Sequence, residues 1–258
     1  CPICERSIPA AVLTAHASEC GTKPRCAPRA LEQAPPPVVD ERAGWQKLGI
    51  ALIEDFVTPA EEQALLEALF EGGGGGGCTN SNGSTGGWKT SRFSGVHRAI
   101  QWGVVMEFRA RKVVAGDRPP IPDFLDAVIE RICALPALRD CQLGRGAGAP
   151  RGWRPTEANA IDYDRDRGDF LAPHVDDRHL SQSPIVNLCL LGDAVMVYER
   201  SASAGLPERV EVQLRRRALQ VMQGKARYDY THAIPRENFL NGRRVSITFR
   251  CSRITAAG

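Results

Sequence analysis

The sequence predicts a mainly β chain with flanking helices (α+β), its core a β-sandwich or barrel. Three observations predict it. Residues 185–191, 194–199, 209–214 and 218–222 are short apolar-rich runs joined by turn residues, the rhythm of an all-β core. Residues 244–250 alternate, with Arg244, Ser246, Thr248 and Arg250 on one face of a half-buried strand and Val245, Ile247 and Phe249 on the other. Two segments carry a helical period, one beginning at Pro59 and one across 122–135, and both read as flanking elements.

With 258 residues there is room for one large core and one small module. A net charge of +3 is too small to point by itself to an anionic partner. No apolar run reaches the roughly 18 residues that a membrane helix needs, so no membrane partner is expected. Nine cysteines is an odd number, and Cys133 and Cys189 sit alone inside apolar runs. That pattern suits buried thiols in a reducing compartment, nuclear or cytoplasmic, rather than a disulfide framework. The first residue is Cys1, not methionine, so the N-terminus is expected to be incomplete and a targeting segment upstream stays open.

In chain order, Cys1-Pro2-Ile3-Cys4 and His16-Ala17-Ser18-Glu19-Cys20 give the spacing C-x2-C-x11-H-x3-C. Two ligands on a tight knuckle and two more one helical turn apart close a tetrahedron on zinc. Residues 1–22 are therefore read as a zinc finger held by Cys1, Cys4, His16 and Cys20, a module whose stability comes mostly from its Zn(II). It resembles the small CCHC-type, ubiquitin-binding fingers of DNA-damage-response proteins, which implies ubiquitin or another protein as a partner. Ser18 stands where those fingers carry an aspartate.

Residues 23–44 form a Pro-rich linker and 45–258 the main domain. Residues 47–56 read as a strand. Thr58 then caps a helix with Pro59 first, Glu61 in the capping-box place and Leu65, Leu66 and Leu69 on the buried side. A Gly-rich insertion at 71–87 lacks a following Gly-Lys-Ser/Thr, so it is not a phosphate loop. From Trp88 to Val114 the chain is basic and aromatic, either a nucleic-acid-facing surface or an ordinary mixed hairpin. The 122–135 helix puts Phe124, Leu125, Val128, Ile129 and Ile132 inward, and 157–163 is another strand. Arg215-Arg216-Arg217, between two strands, is a phosphate-facing patch or a solvated tip.

The chemistry centres on Pro173-His174-Val175-Asp176-Asp177. A histidine and a carboxylate two apart on an extended segment point to the same side, where they can grip a divalent cation. Taken alone, the same triplet is what a surface turn also shows. Fifty-six residues on comes His232, and twelve later the Arg244–Arg250 strand. Two histidines and one carboxylate with open positions suit non-haem Fe(II). Two arginines on one strand face suit a short dicarboxylate, held by charge-assisted hydrogen bonds. His97 and His179 have no such partners and are given no metal role.

These residues, in this order, resemble the AlkB family of iron(II)- and 2-oxoglutarate-dependent dioxygenases. Residues 52–59 resemble the strand-to-helix junction of the family domain, 98–103 the start of its substrate lid, and 120–125 the helix start after the lid. His174-Val175-Asp176-Asp177 and the 243–250 run look closest to the fourth AlkB homologue and its plant and algal relatives. With the strand rhythm, the resemblance implies a double-stranded β-helix, a jelly-roll relative. It implies Fe(II) on His174, Asp176 and His232, which are then the catalytic residues. It implies 2-oxoglutarate as cosubstrate, bound by Tyr163, Arg244 and Arg250. Ile161 stands where many members have an asparagine, and Asn159 lies on the same strand face as Tyr163. Arg98, Trp102 and Asp177 are the implied substrate contacts, with a cap or turn role open for Asp177. The implied activity is oxidative N-demethylation of methylated nucleic acid, DNA or RNA, releasing formaldehyde and succinate. A methyl-lysine protein demethylase, or a zinc-finger adaptor on a scaffold oxygenase fold, are the alternatives.

Overall fold

The computed structural model describes residues 39–40, 43–70, 87–139, 152–201, 205–252 and 254. All of them lie in the second of the chain's two units, Ala34–Gly258. The expected finger at Cys1, Cys4, His16 and Cys20 lies outside the described residues, as do most of the linker and nearly all of the 71–87 insertion.

The chain opens with β1 (Val39–Asp40), α1 (Ala43–Gln46), β2 (Ile50–Ile53) and α2 (Pro59–Phe70). Strands β3 (Lys89–Ser91), β4 (Gly95–Gly103), β5 (Val105–Glu107) and β6 (Lys112–Val114) follow, then α3 (Asp126–Cys133) and α4 (Pro136–Arg139). The remainder is β7 (Glu157–Asp164), β8 (Phe170–His174), β9 (Ile185–Cys189), β10 (Ala194–Glu199), β11 (Arg209–Leu214) and β12 (Leu219–Met222). It ends with α5 (Gly224–Tyr228), β13 (Thr231–Ile234) and β14 (Arg243–Arg250).

Twelve strands form one antiparallel sheet in the order β1-β2-β12-β9-β14-β7-β4-β8-β13-β10-β11, with β3 beside β4. β4 turns the corner. Its Arg98–Gly103 part pairs with β7, while Gly95 and Val96 pair with β8. Gly95 sits at φ 123° where a Cβ would meet the Phe170 carbonyl oxygen at 2.1 Å, so only glycine allows the strands to meet there. The sheet curls on itself, consistent with a double-stranded β-helix. Separately, β5 and β6 make a two-stranded ribbon.

Two apolar clusters follow from strand alternation. Outside the curl, Leu65 and Leu69 of α2 and Val128, Ile129 and Ile132 of α3 pack on Ile100, Trp102, Val245, Ile247 and Phe249. Inside it, Leu52, Tyr163, Cys189 and Met222 meet Met196, Tyr198 and Ile234 from the opposite wall. Each such buried aliphatic side chain contributes about 1.5–3 kcal/mol. The α2 cap forms as the sequence predicts. The Thr58 N–H donates to Glu61 Oε2 at 2.7 Å, and the Glu61 N–H to Thr58 Oγ1 at 3.2 Å.

Three expectations change. The 47–56 strand shrinks to β2, because Gly49 at φ 89° turns the chain against the Gln223 carbonyl, where a Cβ would lie at 2.3 Å. The 122–135 helix shortens to α3 behind a 3-10 turn at Asp123–Leu125, and α4 follows as a separate turn beyond its expected end. β14 is not half-buried: its apolar face lies under the helices and its polar face lines an internal cavity, so six of its eight residues are buried. The three arginines at 215–217 form a partly exposed tip, one of the two readings of the sequence, and each is tethered to a carboxylate. Arg216 pairs with buried Glu62 at 2.7 Å, Arg217 with Asp55 at 2.9 Å and Arg215 with Glu54 at 3.4 Å, tying the β11–β12 turn to the start of α2. Among the described residues, no helix is long and apolar enough to cross a membrane.

Candidate active site

β8 ends at His174, and the register sets His174 opposite His232 of β13. Their ring centroids are 4.3 Å apart. Asp176 lies two residues past the strand end rather than on it, yet returns to the same place. One ligand atom from each of His174, Asp176 and His232 lies within 4.8 Å of the others. His232 Nε2 is 3.4 Å from Asp176 Oδ2.

The surroundings prepare this trio for a cation. His174 Nδ1 is 2.8 Å from the Ala172 carbonyl, which can only accept, so Nδ1 is the donor there and Nε2 is the nitrogen left for a cation. Burial pushes the His232 pKa down to about 4, against the pull of Asp176, so this imidazole is neutral at physiological pH. Burial opposes the charge on Asp176, but Arg250, His232, Arg227 and His174 together hold its carboxyl well below the usual carboxylate range. Arg250 Nη2 donates to Asp176 Oδ1 at 2.8 Å, which leaves Oδ2 on the histidine side. Two imidazoles and one ionised carboxylate, converging on one point, fit an iron(II) ion.

The trio opens into a cavity of about 350 Å³. Strand alternation brings Asn159, Ile161 and Tyr163 of β7 and Arg244, Ser246, Thr248 and Arg250 of β14 to its wall. Arg244 is opposite Tyr163 in register and only 2% exposed. Its Nη1 donates to Ser246 Oγ at 2.7 Å and its Nη2 to Asn187 Oδ1 at 2.8 Å. Tyr163 stacks on Phe239 at 5.2 Å, and burial raises its phenol pKa. Also at the wall, Glu157 is buried, with its pKa raised by that burial, and lies 3.8 Å from Arg118.

Of the expected substrate contacts, Arg98 and Trp102 do not line the cavity. Both project from the opposite face of β4, whose cavity side carries His97 and Gln101. Arg98 is bound to buried Asp162, while Trp102 is 1% exposed and packs edge-on against Phe124 at 6.3 Å. A strand's period of two decides this, and the sequence did not reveal which face was inward. Trp102→Ala should therefore lower stability by about 3–5 kcal/mol and leave the KM for substrate unchanged, which urea melts and initial rates will check. Asp177 does line the cavity, but its Oδ1 accepts the His179 and Leu180 N–H groups, each at 2.7 Å, a turn-forming role.

Sequence reasoning missed Arg227, Asn187 and Glu157. Single polar residues in strands and short helices look solvated until the fold assigns them a side.

Residues 49–250 match the 2OG-Fe(II) oxygenase superfamily. The chain is 29% identical over 229 residues to alpha-ketoglutarate-dependent dioxygenase alkB homolog 4 of Mus musculus, covering 78% of this chain and 67% of that protein. It is 30% identical over 229 residues to the same-named Homo sapiens protein, covering 78% and 66%. The chain thus spans about two thirds of the length of these relatives. The solved structure of OsALKBH1 superposes with a TM-score of 0.54 at 16% identity, covering 84% of this chain and 98% of that one, a likeness of fold. The chain belongs to the 2OG-Fe(II) oxygenase superfamily, as a 2-oxoglutarate-dependent dioxygenase.

Proposed function

We propose that this dioxygenase removes methyl groups from nitrogen atoms of nucleic-acid bases. His174, Asp176 and His232 would hold Fe(II), and Tyr163, Arg244 and Arg250 would form the 2-oxoglutarate side of the cavity. The bound iron and keto acid supply the oxidising power. In the overall balance, one atom of dioxygen enters succinate as 2-oxoglutarate loses CO2, and the other hydroxylates the N-methyl carbon. The N-hydroxymethyl product then loses formaldehyde.

This chain's residues aim that chemistry. Arg244, buried at the wall and already fixed by Ser246 and Asn187, offers a preorganised cation to a carboxylate. Arg250 fixes the orientation of Asp176. Met196, Met222 and Ile234 add apolar surface to the cavity wall.

One observation carries the choice of substrate. Phe93, in the β3–β4 turn, and Phe108, in the β5–β6 turn, both line the cavity and stack on each other at 5.1 Å, although 62% and 44% exposed. Arg92, Arg109, Arg111 and Lys112 around them are also exposed. Stacking faces ringed by cations suit a base lifted out of its strand and its flanking phosphates.

The test is formaldehyde and succinate release on matched methylated DNA, RNA and methyl-lysine peptide panels. Release from nucleic acid is expected. The Phe93→Ala, Phe108→Ala double variant should raise KM by about tenfold or more, since base–aromatic stacking is worth about 1–3 kcal/mol per base. Release from the peptide alone would overturn the substrate assignment. Keto-acid turnover no greater than in His174→Ala would favour an adaptor.

A further inference from the structure

Asp176 is gripped by a second arginine that the scheme above does not use. Arg227, in α5, precedes His232 by one short turn of chain and is 1% exposed. Its Nη1 donates to the Asp176 carbonyl at 2.9 Å. Its Nη2 donates to the Asp177 carbonyl and to Ser181 Oγ, the latter at 2.9 Å. A guanidinium taken out of water is costly unless well compensated. Here the hydrogen-bond acceptors are neutral main-chain and hydroxyl oxygens, and Asp176 supplies the largest favourable charge. Packing alone would be served as well by an apolar side chain of similar volume.

The same loop is stitched on its other side to the end of β14. Ser181 bridges to Ser252, and the Gln182 N–H donates to the Cys251 carbonyl at 2.8 Å. Asp176 is thus fixed twice. Arg250, one residue before that seam, holds the carboxylate, and Arg227 holds the main chain.

We propose that Arg227 is a positioning residue of the cation site. It fastens the main chain of residues 176–181 to the segment that carries His232, so that carboxylate and imidazole keep one spacing whether or not an ion is bound. Without it, the Asp176 carbonyl loses the Arg227 donor, the Asp177 carbonyl keeps only the Ser181 hydroxyl at 3.3 Å, and the ion must order the loop itself, at a cost in affinity. The inference rests on the metal assignment above.

The test is Mn(II) binding by the full chain, with free Mn(II) counted by electron paramagnetic resonance and His174→Ala giving the background from other sites. Arg227→Ala should bind Mn(II) about 10–100-fold more weakly, the size of effect seen when partners of metal ligands are removed. Arg227→Lys should fall between, because an ammonium can still reach one carbonyl. Circular dichroism reports whether each variant is folded. Wild-type affinity in folded Arg227→Ala would overturn the proposal. If that variant does not fold, wild-type affinity in Arg227→Lys would overturn it instead. A wild-type chain that binds no more Mn(II) than His174→Ala would remove the metal assignment itself, a different failure from that of Arg227 alone.

Discussion

Asp176→Asn is expected to abolish succinate formation, a loss of more than about 100-fold, larger than removing a partner of a ligand would cause. The carboxylate has two jobs at once. Oδ1 accepts the Arg250 guanidinium at 2.8 Å, while Oδ2 lies 3.4 Å from His232 Nε2. An amide has one oxygen. Its NH2 group must face either a guanidinium, which repels it, or the ion, which it cannot ligate as an anion. The change also leaves Arg227 and Arg250 buried beside a neutral group. Breaking such a buried pair costs about 3–5 kcal/mol, so the variant should melt earlier as well. Succinate assays and thermal melts check both parts, and wild-type turnover in Asp176→Asn would remove this residue from the chemistry.

Arg244→Ala should weaken 2-oxoglutarate binding by about 100-fold, equivalent to one or two charge-assisted hydrogen bonds of about 1.5–3 kcal/mol each. The guanidinium is locked in place before any ligand arrives, by Ser246 Oγ and Asn187 Oδ1. Little ordering entropy remains to be lost on binding, so its removal is felt almost wholly as lost affinity. Arg244→Lys keeps the charge but not the two-pronged geometry, and should recover only part of the loss. Calorimetric titration with 2-oxoglutarate decides the point; unchanged affinity in a folded Arg244→Ala chain would place the clamp elsewhere.

Much of this was legible in the sequence wherever periodicity and spacing coincide with geometry. The alternation of 244–250 placed Arg244, Ser246, Thr248 and Arg250 on one side, and the fold turns that side inward. The Thr58–Glu61 capping box was visible because its reach is local. From sequence, β8 reads only as an extended segment around His174 and Asp176, and β13 is not marked as a strand, although both carry site histidines. Pro173 and the polar Thr231-His232 pair obscure their pattern, and only pairing across the sheet defines them. The orientation of β4 was invisible for a related reason. One face carries Arg98, Ile100 and Trp102 and the other His97, Ala99 and Gln101, each a mixture of polar and apolar groups, so the order of side chains gave no vote on which face looks at the cavity. The role of Arg227 depends on carbonyls about fifty positions away along the chain, and no local pattern encodes that.

The β5–β6 ribbon has a consequence for how such an enzyme changes its diet. It pairs with no strand of the twelve-stranded sheet. Its base is closed by the Gly103 N–H on the Pro119 carbonyl at 2.8 Å and by Arg118 on the Val104 carbonyl at 2.9 Å. Residues 104–118 therefore form a cassette with adjoining ends, which brings Met106 and Phe108 to the cavity while none of the His-Asp-His trio depends on its hydrogen bonds. Lengthening, shortening or replacing this cassette would retune what is admitted to the oxidising centre without disturbing the centre, and a lineage could swap targets while keeping its engine.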